Sequence, residues 1–148
     1  MHQLVYISAA TPAMSSQGLI DILDSARKFN ALHDIHGMLM YHSQQFFQVL
    51  EGPEPALRTC FQRIERDPRH TGIITLADQP AERPCFHGWD MAAVELTDFE
   101  YSLRSQVISL LDLRSHVQYE ELHTNKAIGI FADTYLSDLD RFATKIDI

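Results

Sequence analysis

The first part of the chain alternates between β-prone runs and segments with helical periodicity. Residues 3–8 are β-prone, and the Thr11–Ser16 stretch after them supplies a turn and a helix N-cap. Between Gln17 and Asn30 apolar residues recur at three- and four-residue steps, as in a helix that lies on a sheet. The pattern predicts a strand followed by a helix that ends near Asn30.

Two strands and a second helix follow. Ile35–Tyr41 and Gln45–Glu51 are apolar runs joined by three residues, and so short a connection favours an antiparallel hairpin. Gly52 and Pro53 end the second run. Residues 54–66 then carry apolar side chains at helical spacing, which predicts a second helix.

Two further strands are predicted at residues 72–77 and 88–95. The order β-α-β-β-α-β-β is the split β-α-β arrangement of ferredoxin-like folds, with both helices on one face of the sheet and one extra strand. The fold class is therefore α+β. Residues 98–148 have helical spacing with few glycines, and we expect a helical extension after a domain at residues 1–97. This extension packs on the open sheet face or forms an interface, and the sequence leaves both open.

Gln48 is a carboxamide in the middle of a run that otherwise reads as a buried strand. Because side chains alternate along a strand, Tyr6 and Gln48 can meet if their faces coincide. A buried amide without partners costs roughly 1–3 kcal/mol. Two interpretations stay open: a Tyr–Gln pair completed by backbone or water, and a pair completed by a ligand.

Other polar residues also have ordinary structural explanations. Asn30 suits the C-terminal cap of a helix, and Trp89 and Met91 share one face of a strand, where both residue types usually fill a core. Arg63 and Asp67 are spaced for a surface ion pair on the second helix. Taken singly, none of these residues indicates a function.

Composition narrows the possible functions. The formal charge of −8 with no basic cluster argues against nucleic acid or an anionic membrane as partner. Two distant cysteines, no export signal and no long apolar stretch predict a cytoplasmic protein. His33 and His36 lack a further ligand set, so we expect no metal. No nucleotide-binding or hydrolase motif points to an enzyme.

Five separated motifs stand in unbroken order over residues 2–96: Tyr6-Ile7-Ser8; Asn30 seven residues before Gly37; Phe46-Phe47-Gln48-Val49-Leu50-Glu51-Gly52; Arg63-Ile64 with Asp67-Pro68-Arg69-His70; and Gly88-Trp89-Asp90-Met91. Together they resemble the BLUF family, blue-light sensors that use FAD. The resemblance implies a flavin that lies between the two helices against the sheet. The chemistry of the residues does not itself choose between FAD and FMN; the family favours FAD.

The resemblance also implies a role for each motif residue. Asn30 would hold the polar edge of the flavin, and Gln48 would bridge Tyr6 to it. The remaining expected contacts are Ile22 and Ile64 on the two faces of the ring, Arg63 and Asp67 at its polar edge or ribityl side, and Arg69 and His70 near the ribityl phosphate.

By the same resemblance, light moves an electron and a proton from Tyr6, after which Gln48 rotates or tautomerises. Trp89 and Met91 would pass the change to the helical extension, and which of the two lies inward is left open. We expect a homo-oligomer that signals to an unidentified protein partner. His36 and Phe29 depart from common family residues, and we expect them to tune the photocycle.

Two other functions compete with a photoreceptor. One is a ferredoxin-like interaction module that keeps the pattern without photoactivity. The other is a small acylphosphatase-like enzyme, which ranks lower because no phosphate site can be placed in the sequence.

Overall fold

The computed structural model describes residues 1–42, 44–82, 91–95 and 107–109. Its elements are β1 (His2–Ala10), α1 (Ser16–His33), β2 (His36–His42), β3 (Gln45–Gly52), α2 (Glu54–Glu65), β4 (His70–Pro80), β5 (Ala92–Glu95) and β6 (Val107–Ser109). The predicted order β-α-β-β-α-β-β is confirmed as far as β5. Ser15 caps α1, since its hydroxyl oxygen accepts a hydrogen bond from the Gly18 N–H at 3.0 Å.

The strands form one sheet in the order β4-β1-β3-β2-β5-β6. β1 lies antiparallel between β3 and β4, and β3 lies antiparallel to β2. β5 is the extra strand and runs parallel to β2. The predicted α+β, ferredoxin-like fold is confirmed, and the central strands β1 and β3 bring the two predicted polar residues into one pair.

Both helices pack on the same face of the sheet. Leu23 of α1 and Leu57 of α2 are fully buried in one cluster with Leu39 of β2 and Leu50 of β3. Truncating such a leucine to alanine typically costs 2–5 kcal/mol. Within the described residues, neither helix is long and apolar enough to cross a membrane.

The opposite face of the sheet is also buried. Val5, Met38, Phe47 and Val49 point away from the helices and have no exposed surface. That the C-terminal extension or a second subunit covers this face stays a prediction.

A close approach between β2 and β3 sets the register beside Gln48. A Cβ on Gly37 would lie 2.0 Å from the Val49 carbonyl oxygen, so only glycine fits there. With this contact in place, Leu39 lies opposite Gln48. A slip by one residue would turn Gln48 away from the helices.

The end of α1 differs from the prediction. The helix continues to His33, and Asp34 forms its cap in the left-handed conformation, with φ of 56°. The Asp34 N–H donates to the Asn30 carbonyl oxygen. Capping by Asn30 is therefore wrong, because the residues after it continue the helix and its side chain is fully buried.

The C-terminal prediction meets the structure at only three described residues. Val107–Ser109 form strand β6, which pairs in parallel with β5. At these three residues the predicted helix is therefore wrong. Val107 and Ile108 are β-branched residues, which favour a strand. Without β6, strand β5 would be an edge strand with unpaired backbone groups, and β6 pairs with them. The rest of residues 98–148, the boundary near residue 97 and Trp89 lie outside the described residues.

Candidate functional site

A cavity of about 650 Å³ lies between the two helices and the sheet. This volume is in the range of small-molecule sites, about 300–1,000 Å³. The structure brings all the predicted binding residues to its wall: Tyr6, Ile22, Asn30, Gln48, Arg63, Ile64, Asp67, Arg69 and His70. Residues from three strands, two helices and the segment after α2 thus converge on one site.

Tyr6 and Gln48 form the polar centre of the sheet wall. They are direct cross-strand partners and are only 3% and 4% exposed. The Tyr6 hydroxyl donates a hydrogen bond to the Gln48 Oε1. Burial raises the pKa of the Tyr6 phenol far above its ordinary value, and the nearby Cys60 and Asp67 add to the effect. The phenol therefore keeps its proton in the resting protein.

The other end of the Gln48 amide faces Met91. Gln48 Nε2 donates to the Met91 Sδ at 3.6 Å. A thioether is a weak acceptor, and an amide nitrogen carries two donors. Within the described residues the Gln48 amide nitrogen thus has a sulfur atom as acceptor, and it keeps capacity for a stronger acceptor.

Met91 itself lies inward. Its side chain is 2% exposed and packs in the core cluster with Leu39 and Phe46. Its carbonyl oxygen accepts a hydrogen bond from Arg27 Nε at 3.1 Å. The sequence left the placement of this residue open, and the structure puts it in contact with Gln48.

The helical walls contribute a second buried amide and a thiol. Asn30 has no exposed surface, and the Cys60 Sγ lies 3.9 Å from its Oδ1. Burial raises the pKa of the Cys60 thiol to about 11. Ile22 comes from α1 and Ile64 from α2, so the cavity has an aliphatic side chain on each helical side.

Arg63 does not make the ion pair with Asp67 that its spacing allows. Its guanidinium lies 4.3 Å from the centre of the Phe29 ring, and its Nη2 donates to the Ser25 hydroxyl at 3.4 Å. The reason is that α2 ends at Glu65, so Asp67 no longer follows the helical spacing. Phe29, a departure from common family residues, thereby joins α1 to α2 at the cavity rim.

Asp67 binds Arg69 in a two-pronged ion pair. Arg69 Nη2 lies 2.6 Å from Oδ2, and Arg69 Nε lies 2.8 Å from Oδ1. These bonds hold the pKa of the Asp67 carboxyl below its ordinary value. Arg69 Nη1 also donates to the Gly18 carbonyl oxygen at 3.1 Å, so the cation is tied to the start of α1.

His70 is built into the wall rather than exposed as free surface charge. Its Nε2 donates to the Ile64 carbonyl oxygen at 2.6 Å. Its Nδ1 then accepts from the Ser8 hydroxyl, 2.8 Å away. The ring lies beside Tyr6, with 6.2 Å between ring centres.

Several wall residues escaped the sequence analysis, among them Leu39, Phe46, Cys60 and Arg66. A signal existed for two of them. Cys60 precedes Ile64 by one helical turn, and Phe46 shares a strand face with Gln48. Leu39 needed the strand register, which the sequence does not supply.

A family model described as sensors of blue light using FAD, BLUF, matches residues 1–92. The photoactivated adenylate cyclase subunit beta of Euglena longa is 39% identical over 83 residues, which are 56% of this chain and 10% of that protein. The blue light- and temperature-regulated antirepressor BluF of Escherichia coli is 26% identical over 130 residues, 86% of this chain and 31% of that protein. The chain thus spans less than a third of either relative.

Solved structures agree with the sequence matches. A Klebsiella pneumoniae BlrP1 complex with manganese and cyclic diGMP superposes with a TM-score of 0.74 at 27% identity, over 96% of this chain and 34% of that one. The ground state of BlsA superposes with a TM-score of 0.62 at 27% identity, over 86% of this chain and 87% of that one.

Proposed function

This chain belongs to the BLUF family, the sensors of blue light that use FAD, and we propose that its Tyr6–Gln48 pair is the switch of a flavin photoreceptor. The observation that carries the proposal is the buried bond from the Tyr6 hydroxyl to the Gln48 amide on the wall of a ligand-sized cavity. The amide has two unlike ends and can reverse them without a change of volume.

The residues around the cavity fit a flavin. Ile22 and Ile64 offer apolar surfaces from two sides, as a flat aromatic ring requires, while Asn30 and Gln48 offer amide groups to polar ring atoms. We place the ribityl phosphate near Arg69 and His70, because Arg69 is a fixed cation at the start of a helix. Arg63 and Asp67 would border the polar edge or the ribityl side.

A bound FAD supplies the absorption of blue light and, once excited, the capacity to accept an electron. Tyr6 is the electron donor that we propose. Its proton leaves with the electron, because a phenol with so high a pKa does not ionise beforehand. The acceptor already in place for that proton is Gln48 Oε1. Electron and proton later return to Tyr6, so no lasting redox change remains.

Reorientation or tautomerisation of Gln48 then changes what the amide presents to Met91. In the resting arrangement Nε2 donates to the sulfur, and after a reversal a carbonyl oxygen would face it. Two acceptors facing each other repel, so Met91 responds to the state of the amide. We propose that Met91, with Trp89, passes this change to the segment that follows.

The proposed output is binding to a downstream protein in the cytoplasm, by a sensor that is not itself an enzyme and that assembles as a homo-oligomer. The antirepressor relative is described as regulated by blue light, and that regulation belongs to the relative. The downstream protein partner of this chain stays unidentified.

An absorption spectrum tests the proposed function. The FAD-loaded protein should be yellow, and blue light should shift its flavin absorption slightly to the red, with recovery in the dark. Tyr6→Phe should abolish the shift. Tyr41→Phe is the matched control, because Tyr41 packs on Phe46 and does not line the cavity. A protein that takes up no flavin, or a shift that survives Tyr6→Phe, rejects the proposal.

A further inference from the structure

Arg27 of α1 holds the main chain at Met91 although it does not line the cavity. Its Nε donates to the Met91 carbonyl oxygen at 3.1 Å, and the contact is partly buried. The acceptor belongs to the same residue whose sulfur faces the Gln48 amide. Met91 thus binds Arg27 through its main-chain carbonyl and Gln48 through its side chain.

The contact between Arg27 and Met91 completes a series of hydrogen bonds from the Tyr6 hydroxyl to α1. The Tyr6 hydroxyl donates to Gln48, Gln48 donates to the Met91 sulfur, and Arg27 donates to the Met91 carbonyl. Met91 immediately precedes β5, whose first residue pairs with Met38 of β2. The main chain at this point is therefore held on one side by the sheet and on the other by a cationic donor.

We propose that Arg27 is a positioning residue of the photocycle, which keeps the Met91 sulfur within reach of the Gln48 amide. The inference rests on the proposed function and adds to it a residue outside the cavity wall. When Gln48 reverses, the sulfur loses its donor, yet the Met91 main chain stays held by Arg27. When the Gln48 amide turns back in the dark, the Met91 sulfur is already positioned to accept its hydrogen bond, and this speeds dark recovery.

Two properties suit Arg27 to this role. A hydrogen bond from a charged donor is stronger than one between neutral groups, and a guanidinium presents its donors in a fixed plane. The next residue, Lys28, carries the same charge but is exposed. Lys28 therefore provides a matched control on the same helix.

The experiment measures dark recovery of the light-induced absorption shift in the full FAD-loaded chain. Arg27→Gln is compared with Lys28→Gln and wild type, at equal flavin content. Because Tyr6 and Gln48 are intact, we expect Arg27→Gln to keep the shift and to recover about fivefold more slowly. Lys28→Gln should recover within about twofold of wild type.

A second comparison separates positioning from a general structural effect. In a Met91→Leu background the side chain no longer accepts from Gln48, so adding Arg27→Gln should change recovery by less than about twofold. Should Arg27→Gln fail to retain FAD, Arg27→Met keeps the aliphatic stem, and the same outcomes are expected of it.

The outcomes are distinct. Recovery of the Arg27 variant at the wild-type rate or faster overturns the inference, and so does an equal slowing in the Met91→Leu background. A wild-type protein without any light-induced shift rejects the proposed function, and this inference with it. A normal wild type with an unaffected Arg27 variant rejects the inference alone.

Discussion

The bond between Tyr6 and Gln48 should be measurable as a coupling free energy. Gln48→Leu keeps the approximate size of the side chain but leaves the hydroxyl of Tyr6, a residue that is 3% exposed, without its acceptor. A buried polar group left unsatisfied costs about 1–3 kcal/mol. In the double variant with Tyr6→Phe that hydroxyl is absent, so the penalty should disappear.

A double-mutant cycle isolates this quantity. The apolar gain of leucine and the lost contact to Met91 occur in both variants that lack Gln48, and they cancel. We therefore expect a coupling of about 1–3 kcal/mol in the free energy of unfolding. For a chain of this size that corresponds to roughly 3–9 °C in melting temperature.

Urea unfolding at one fixed FAD concentration provides the assay. The FAD affinity of each variant is measured separately, and the stabilisation by bound ligand is subtracted. The exposed pair Gln17 and Asp21, with a side-chain hydrogen bond of 3.0 Å, is the control cycle. It should give only about 0.2–0.5 kcal/mol. A Tyr6–Gln48 coupling no larger than that of the control would refute the reasoning.

Three further predictions address the scaffold and the cavity. Gly37→Ala should destabilise the protein in urea by about 3 kcal/mol or more, because its Cβ would lie 2.0 Å from the Val49 carbonyl oxygen; normal stability would contradict the close approach. Hydrogen bonds from Arg58 lower the pKa of Asp78 from 3.8 to about 2, so its stabilisation is full above about pH 4 and is lost as the pH falls towards 2. Asp78→Asn should therefore show a flatter loss of stability over that interval in acid titrations, and parallel curves would count against the ion pair. Asn30→Leu should weaken FAD binding roughly tenfold in calorimetric titration, and an unchanged dissociation constant would remove Asn30 from the site.

Much of the fold followed from periodicity. The three- and four-residue steps of α1 and the apolar runs of β2 and β3 placed these elements within a few residues. Strand alternation also predicted that Tyr6 and Gln48 could share a face. The register that makes them direct partners needed the packing of β1 against β3.

The wrong predictions concern two features that depend on tertiary contacts: the cap of α1 and the partner of Asp67. Asn30 suits a cap by residue type, but the helix continues past it because its amide is buried against α2. The spacing of Arg63 and Asp67 suits an ion pair, yet α2 ends between them and Asp67 turns to Arg69. Neither outcome is a property of local sequence, since each depends on where a helix stops.

The alkylation rate of the buried Cys60 thiol can report how often the cavity opens. Burial raises the pKa of the Cys60 thiol, so little reactive thiolate forms near neutral pH, and the residue is only 7% exposed. In a Cys85→Ser variant, alkylation of Cys60 must therefore wait for the cavity to open. The alkylation rate in darkness and under illumination reports how far light loosens the helices around the flavin, without an attached label.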